Sequence, residues 1–314
     1  MPTPGIGLTG FARHDAAGTM KPLEKDQIAL LDRAAELLSG HKFAVLTGAG
    51  LSTDSGIPDY RGPSAVPRSP LTYQEFVRDP ALRQRYWARN QLGWRQLRHA
   101  APNAGHYAVS RLERHGLTSG IITQNVDRLH EDAGAEDVVD LHGRFDQVAC
   151  LRCSSVFSRD YIGARLDAAN PGFVEDASRL GPIGQAPDAD ADLESAALIG
   201  AFRVVDCEVC AGMLKPDFVF FGENVPVYRV QRSFAMLDES RALLVAGSSL
   251  TVMSGLRFPR YMSRKGLPVV LLNRGATRGD PLATLKVDVG VSEALSYLAS
   301  MLAAPGSPSA PIVR

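Results

Sequence analysis

Short apolar runs alternate with helical patterns along most of the chain. Apolar residues recur at helical spacing in residues 26–39, and Gly40 ends that pattern. Runs bounded by Gly, Asn, Asp or Pro predict strands at residues 43–46, 120–123, 138–141, 218–221, 243–246 and 269–272. Further helical patterns occur at 104–115, between strands, and at 291–302, after the last predicted strand. This alternation predicts an α/β fold with a doubly wound, parallel, Rossmann-like sheet.

Two stretches interrupt the alternation. Residues 74–99 form a helical pattern with six arginines and two acidic residues, and residues 147–214 contain all four cysteines. The Gly/Pro/Ala/Asp-rich residues 170–192 predict a long, poorly packed surface loop. We therefore expect a Rossmann-like domain that contains a smaller module. The predicted division is a flexible arm (1–24), the Rossmann-like domain (25–73, 100–146 and 215–304), a helical segment of the small domain (74–99), a zinc-binding module (147–214) and a flexible tail (305–314).

Composition narrows the class of protein. The 314 residues include 45% hydrophobic and 22% charged residues, as in ordinary globular proteins. Because 34 basic residues balance 34 acidic ones, a general nucleic-acid binder is not expected. No apolar run approaches the ~20 residues that span a bilayer, and the first 20 residues lack the features of a secretory signal. We expect a cytoplasmic protein, a monomer, without membrane or direct nucleic-acid partners.

The four cysteines form two C-x-x-C pairs, Cys150 with Cys153 and Cys207 with Cys210. Four thiolates at this spacing predict a tetrahedral zinc site, although the 53-residue spacer exceeds that of a zinc ribbon. A disulfide pair is an alternative that needs an oxidising compartment, and a redox C-x-x-C is another. Since four sulfur ligands leave no open position, the predicted zinc is structural.

A glycine turn follows the first predicted strand. Gly48-Ala49-Gly50 departs from the dinucleotide pattern G-x-G-x-x-G, because Thr53 takes the third glycine's place. Glycines before a helix still let a backbone approach a pyrophosphate, although a tight turn without a ligand explains them too. The residues that follow include a serine, a threonine, two aspartates and an arginine, which a loop that only holds phosphate does not need.

Residues 48–62, GAGLSTDSGIPDYRG, resemble the signature of the sirtuins, the NAD-dependent protein deacylases. The other sirtuin motifs follow in order: TQNVD at 123–127, LHG at 141–143, the cysteine pairs, LKPD at 214–217, FFGE at 220–223, GSS at 247–249 and NRG at 273–275. The resemblance extends over residues 25–303. Residues 83–90, RQRYWARN, and the long cysteine spacer are most similar to class II sirtuins, which include a mitochondrial lipoamidase-type member.

The resemblance implies a reaction and its participants. It implies transfer of an acyl group from a lysine to ADP-ribose with release of nicotinamide, NAD as co-substrate, one structural zinc ion and acyl-lysine peptides as substrates. Mono-ADP-ribosyl transfer is an alternative, as is a preference for larger or acidic acyl groups. The residues that it places at the cofactor are Gly48, Ala49, Gly50, Ser52, Ile57, Asp59, Tyr60, Arg61, Gln124, Asn125, Asp127, Gly247, Ser248, Ser249, Asn273, Arg274, Gly275 and Val291.

By the same resemblance His142, Asn125 and Asp127 are catalytic. All three follow predicted strands, at the edge where open α/β sheets bind ligands. His142 is then the general base that takes a proton from a ribose hydroxyl, a task suited to an ordinary pKa of about 6.5. A structural histidine and an ordinary strand-to-helix turn are the alternatives.

Substrate contacts are expected at two loops, with Phe221, Gly222 and Glu223 in the first and Leu250 and Val252 in the second. Many sirtuins have a proline shortly after the second loop, whereas this chain has Met253-Ser254-Gly255, which leaves the peptide preference open. Tyr86 and Arg89 match a Tyr-x-x-Arg pair that binds acyl carboxylates in desuccinylases. The alternative is that Arg89 lies on a solvated helical face.

Two other classes also fit part of the sequence. A zinc-containing NAD dehydrogenase would explain a glycine turn and a zinc site, but four sulfur ligands offer no catalytic position. A zinc-knuckle nucleic-acid binder would explain the arginine-rich helix, but the net charge of zero disfavours it. Release of nicotinamide without formation of NADH separates the deacylase from the first class, and salt-dependent retention on DNA would favour the second.

Overall fold

The computed structural model describes residues 21–60, 70–181 and 190–303. Its strands, numbered along the chain, are β1 Phe43–Thr47, β2 Thr118–Thr123, β3 Val138–Asp140, β4 Gly143–Cys150, β5 Val156–Ser158, β6 Leu214–Phe218, β7 Ala242–Ala246, β8 Val269–Leu272 and β9 Leu285–Val287. Its helices are α1 Lys25–Leu38, α2 Tyr73–Arg78, α3 Pro80–Leu97, α4 Ala104–Arg114, α5 Leu129–Asp132, α6 Arg159–Ala169, α7 Phe173–Ser178, α8 Ala196–Ala201, α9 Val227–Asp238, α10 Met253–Arg264 and α11 Val291–Leu302.

The larger sheet is parallel, with strand order β3-β2-β1-β7-β8-β9. Residues of β1, β2, β7 and β8 are buried throughout, which explains why these strands read as continuous apolar runs. One apolar cluster, with α1, α4 and α11, covers one face, and a second, with α9 and α10, covers the other. Because the chain runs outward from β1 in both directions, the carboxyl ends of β1, β2 and β7 surround a crevice. The predicted doubly wound fold is confirmed.

The smaller sheet is antiparallel, with strand order β5-β4-β6. It belongs to a third apolar cluster, which also includes side chains from α2, α3, α6 and α7. At the centre of this cluster the Arg159 guanidinium lies over the rings of Trp87 and Trp94, 5.5 and 5.3 Å from the centroids. The small module therefore has a core of its own.

The strand predicted at 218–221 is wrong in detail, and some observed strands were not predicted. The apolar run at 218–221 is not a strand of the parallel sheet, because β6 ends at Phe218 in the smaller sheet. Beyond it the N–H of Val219 donates to the carbonyl of His142 at 2.7 Å, and the ring of Phe220 packs against Phe76 and Tyr86. The run is apolar because its aromatic rings fill the small core. The short strand β9 and the alternating strand β4 had no continuous apolar run and were missed.

The predicted loose loop at 170–192 is also wrong in part. It contains α7, whose Phe173 ring lies 4.7 Å from that of Phe202, and both Ala177 and Ala191 are buried. Residues 182–189 of this stretch lie outside the described residues. No helix in the described parts of the chain is both long enough and apolar enough to cross a bilayer.

Candidate active site

Two glycine turns lie side by side where β1 and β7 end. Gly48 and Gly50 follow β1, Gly247 follows β7, and the N–H of Gly50 donates to the carbonyl of Gly247 at 2.9 Å. Gly247 has a φ of 66°, and a Cβ there would lie 2.4 Å from the backbone nitrogen of Leu51. Since no side chain separates these backbones, the two turns pack directly against each other and a ligand can approach the backbone closely, which is what a dinucleotide turn needs.

A buried polar network links the first glycine turn to the end of β2. The hydroxyl of Ser52 donates to Asp127 Oδ2 at 2.6 Å and accepts from Asn125 Nδ2 at 3.0 Å. Asn125 Nδ2 also donates to the carbonyl of Gly48 at 3.1 Å. Burial raises the pKa of Asp127, while the bonds from Ser52 and the N–H of Leu129 lower it. The network fixes the orientation of the amide and the carboxylate at the crevice.

His142 is held through both ring nitrogens. Nδ1 lies 2.9 Å from the carbonyl oxygen of Gln124, and Nε2 lies 2.8 Å from the hydroxyl of Ser254. A carbonyl oxygen can only accept, so Nδ1 carries hydrogen and, in the neutral ring, Nε2 has the free electron pair. The side chain of Gln124 is fixed in turn, because its Nε2 donates to Ser248 at 2.7 Å and to the carbonyl of Thr47 at 3.1 Å.

The environment of His142 disfavours its charged form. Burial lowers the pKa of His142 to about 4, the bond to the Gln124 carbonyl raises it, and the positive charges of Arg229 and Arg257 lower it further. The pKa therefore lies below the ordinary value of about 6.5 expected from the sequence, and the ring is neutral at physiological pH. A general base needs that state.

One cavity of about 730 Å³ joins these groups, a volume in the range of small-molecule sites. The predicted cofactor residues that line it are Gly48, Ala49, Gly50, Ser52, Ile57, Asp59, Tyr60, Gln124, Asn125, Asp127, Gly247, Ser248, Ser249, Asn273, Arg274 and Val291, and His142 lines it too. Gly275 is not among the lining residues. Arg61 lies outside the described residues.

The predicted substrate loops line the same cavity through Phe221, Gly222, Glu223, Leu250 and Val252. The ring of Phe221 meets that of Tyr60 edge to face, with centroids 6.1 Å apart. Phe221 is 37% exposed, so an apolar ring stands at the mouth. The cofactor loop and the first substrate loop therefore meet across one opening.

Tyr86 and Arg89 do not share a cavity in the way the sequence predicts. Tyr86 is a lining residue and Arg89 is not. Arg89 Nε lies 2.7 Å from Asp190 Oδ1, and its Nη2 lies 3.4 Å from Asp192 Oδ1. Two aspartates thus surround the guanidinium, and one of them, Asp190, lines the cavity. This geometry weighs against the role predicted for Arg89 in binding acyl carboxylates.

The four cysteines lie together at the tip of the small sheet. Their sulfur atoms are all within 4.8 Å of one another, with Cys150 to Cys210 at 3.5 Å and Cys153 to Cys207 at 3.8 Å. All four are free thiols, and a tetrahedral zinc with Zn–S bonds of about 2.3 Å needs sulfurs about 3.8 Å apart. The donor set therefore fits zinc, and no disulfide joins the pairs.

Several lining residues were missed by the sequence reasoning. Ser254, Arg257, Asp190 and Phe220 belong to the cavity, yet none of them stands in a glycine turn or at the end of a parallel strand. The absence of the family's proline was the one sequence signal that pointed near Ser254. Asp190 gave no signal, because it lies in a stretch that reads as a loose loop.

Comparison with known proteins supplies the family. Residues 48–254 match the model of the Sir2 family. The chain is 54% identical over 266 residues to NAD-dependent protein deacetylase 1 of Mycobacterium avium (strain 104), an alignment covering 85% of this chain and 93% of that protein. It is 51% identical over 270 residues to NAD-dependent protein deacetylase 1 of Streptomyces coelicolor (strain ATCC BAA-471 / A3(2) / M145), covering 85% and 88%.

Solved structures of Sir2 proteins have a similar fold. A complex described as Sir2, p53 peptide and NAD+ superimposes with a TM-score of 0.63 at 30% identity, covering 90% of this chain and 97% of that one. A Sir2 mutant bound to p53 peptide and NAD gives a TM-score of 0.68 at 28% identity, covering 88% and 99%. The chain belongs to the Sir2 family of sirtuins.

Proposed function

We propose that this protein is an NAD-dependent protein-lysine deacylase whose basal activity is deacetylation. The observation that supports this most directly is that one cavity is lined both by the predicted NAD-binding residues and by the predicted peptide-binding loops. Glycine turns and the network of Ser52, Asn125 and Asp127 form one wall, and the loops that the family uses for acyl-lysine peptides form another. Relatives about half identical to the chain are named NAD-dependent protein deacetylases.

The residues at hand fit NAD as co-substrate. The closely packed glycine turns at Gly48 and Gly247 let its pyrophosphate approach the backbone, and Asn273 and Val291 line the same cavity. When bound, NAD supplies the activated ribose that accepts the acyl group. Hydrogen bonds to Ser52 orient the amide of Asn125 and the carboxylate of Asp127 at the crevice.

His142 is the general base in this proposal. Its Nδ1–H is directed to the Gln124 carbonyl, so that Nε2 is the atom that accepts a proton from a ribose hydroxyl. The rings of Tyr60 and Phe221 stand at the opening and exclude water from the reacting carbon. The four cysteines bind zinc as a structural ion that takes no part in the reaction.

The test is incubation of the full chain with NAD and an acetyl-lysine peptide. We expect equal amounts of nicotinamide, deacetylated peptide and O-acetyl-ADP-ribose by mass spectrometry, without NADH. His142→Ala should lower turnover by roughly 10²–10⁴ with NAD affinity largely kept, and Asn125→Ala should also lower it. His115→Ala, on an exposed histidine, is the control. Near-normal turnover in His142→Ala would refute the assignment of the base, and nicotinamide release without deacylation would favour ADP-ribosyl transfer.

The acyl preference belongs to the same proposal. Because Asp190 lines the cavity and Arg89 is already paired with two aspartates, the site favours uncharged acyl groups over dicarboxylic ones. The match of residues 83–90 and of the long cysteine spacer supports membership in class II. A panel of acetyl, lipoyl, succinyl and methylglutaryl peptides measures this preference directly.

A further inference from the structure

Ser254 stands where the chain departs from its family, near the place where many sirtuins have a proline. It is the second residue of α10, it lines the cavity, and its hydroxyl lies 2.8 Å from His142 Nε2. The departure thus places a hydroxyl on the nitrogen that serves as the base.

The bond at the other ring nitrogen decides how this hydroxyl is oriented. His142 Nδ1–H donates to the Gln124 carbonyl, so neutral Nε2 has one in-plane electron pair and no hydrogen. A contact of 2.8 Å between Nε2 and Ser254 Oγ is then an O–H···N bond donated by the serine. Because that electron pair accepts one hydrogen, a ligand hydroxyl cannot bond to Nε2 while Ser254 does.

The charged groups around the ring of His142 do not favour its protonated form. Arg229 of α9 and Arg257 of α10 are the charged groups that act on it, and both are cations. Asp217 lies 3.3 Å from Arg229 and offsets part of that charge. Within the described residues, no carboxylate bonds to the ring. A hydroxyl on Nε2 is then the side chain placed to accept a bond from the charged ring, and such charge-assisted bonds are strong.

We propose that Ser254 is a proton relay between the ribose hydroxyl and His142, an inference that rests on the proposed function. Ser254 passes its own hydroxyl proton to His142 Nε2 and, in the same step, takes the proton of the ribose hydroxyl on Oγ. One O–H bond of the serine breaks as another forms, so the serine ends neutral. The histidine ends as imidazolium, and the ribose oxygen keeps the electron pair of its broken O–H bond.

The helix offers well-matched variants. Ser254→Pro removes the hydroxyl and introduces the residue that many sirtuins have near this position. Proline is tolerated in the first turn of a helix, where backbone N–H groups have no intrahelical partner. Ser254→Ala removes the hydroxyl without changing the backbone, and Ser254→Thr keeps it. Ser263→Ala, on the same helix but outside the cavity lining, is the control.

The experiment compares kcat, the KM values of NAD and acetyl peptide, and the solvent isotope effect in mixtures of H2O and D2O. We expect Ser254→Pro and Ser254→Ala to lower kcat by about 10- to 100-fold with both KM values nearly unchanged. The wild type should show the curved dependence of two protons in flight, and the variants a linear one. Ser254→Thr should restore kcat to within about threefold, as expected for a retained hydroxyl.

A second readout does not need turnover. In ligand-free protein with 15N-labelled histidine, the Nε2 resonance of His142 should shift between the wild type and Ser254→Pro, because the variant loses the hydrogen bond. An unchanged resonance, or a kcat of Ser254→Pro equal to or above that of an active wild type, would overturn the relay alone. A wild type that releases no nicotinamide would overturn the proposed function and the relay with it.

Discussion

The ammonium group of Lys215 lies 3.1 Å from Glu223 Oε2 and 2.5 Å from the carbonyl oxygen of Phe218. Lys215 is 5% exposed, and it lies over the ring of Phe220, 4.8 Å from the centroid. Glu223 Oε2 also accepts the N–H of Phe220 at 2.8 Å. This ion pair therefore anchors the first substrate loop, through Glu223, to strand β6.

We expect Lys215→Met to loosen that loop. The substitution leaves Glu223 without its cation and costs about 3 kcal/mol or more of the free energy of unfolding, as for other broken buried pairs. It should raise the KM of the peptide by about tenfold, equivalent to about 1.4 kcal/mol, while the KM of NAD changes little. Lys265→Met is the control, because Lys265 pairs with Asp238 at the surface. Equal changes in both KM values would assign Lys215 to general stability.

Removal of the zinc should unfold the small module. Cys207→Ser takes away one of four sulfur ligands, and zinc binding contributes directly to folding in such modules. We expect one zinc per chain in the purified protein and aggregation of Cys207→Ser that reductants do not reverse. Zinc-free, fully active wild type would contradict this prediction.

Substitution of Arg89 tests whether this residue binds acyl carboxylates, as the sequence predicts, or is held by two aspartates, as the structure indicates. Arg89 is held by Asp190 and Asp192, so Arg89→Met should change the ratio of desuccinylation to deacetylation by less than about threefold, within the scatter expected for a non-contacting residue. Asp190→Asn should raise that ratio, because it removes one of the two carboxylates that hold the guanidinium and takes that carboxylate from the cavity wall. A selective loss of desuccinylation in Arg89→Met, by about ten- to a hundredfold, would restore the role predicted from the sequence.

His130 should make the fold sensitive to acid. It is buried behind the site, 2.9 Å from Thr47 Oγ1, and burial lowers its pKa to about 4. At a pH well above 6.5 the residue is neutral both folded and unfolded. As the pH falls from 6.5 to 4, the unfolded chain gains a proton that the folded chain does not, so the free energy of unfolding falls by up to about 3 kcal/mol.

The measurement is urea unfolding of the wild type and His130→Gln at pH 8 and pH 5. Glutamine keeps a donor for Thr47 and does not titrate, so the wild type should lose more stability than the variant between the two values. Burial raises the pKa of the neighbouring Glu131 to about 7 and has the opposite effect, but it is present in both proteins. Parallel losses would show that His130 does not titrate in this range.

The sequence by itself determined the parallel sheet and much of the site. Strands β1, β2, β7 and β8 are buried on both faces, so burial alone forces the apolar runs that reveal them. Carboxyl ends of parallel strands lie at one edge of the sheet, so residues that follow them, such as Asn125 and His142, were expected at the crevice. The C-x-x-C spacing likewise predicted the cysteine cluster, because each pair can bind one ion from a single turn.

Tertiary structure alone decided the contacts between residues far apart in the chain. Arg89 meets Asp192 across 103 positions, and His142 meets Ser254 across 112. Neither partner belongs to a periodic pattern, and a hydrogen bond depends on side-chain positions to within a fraction of an ångström. Local sequence patterns report which face of an element is buried, whereas the partner of a polar side chain follows from how the elements pack.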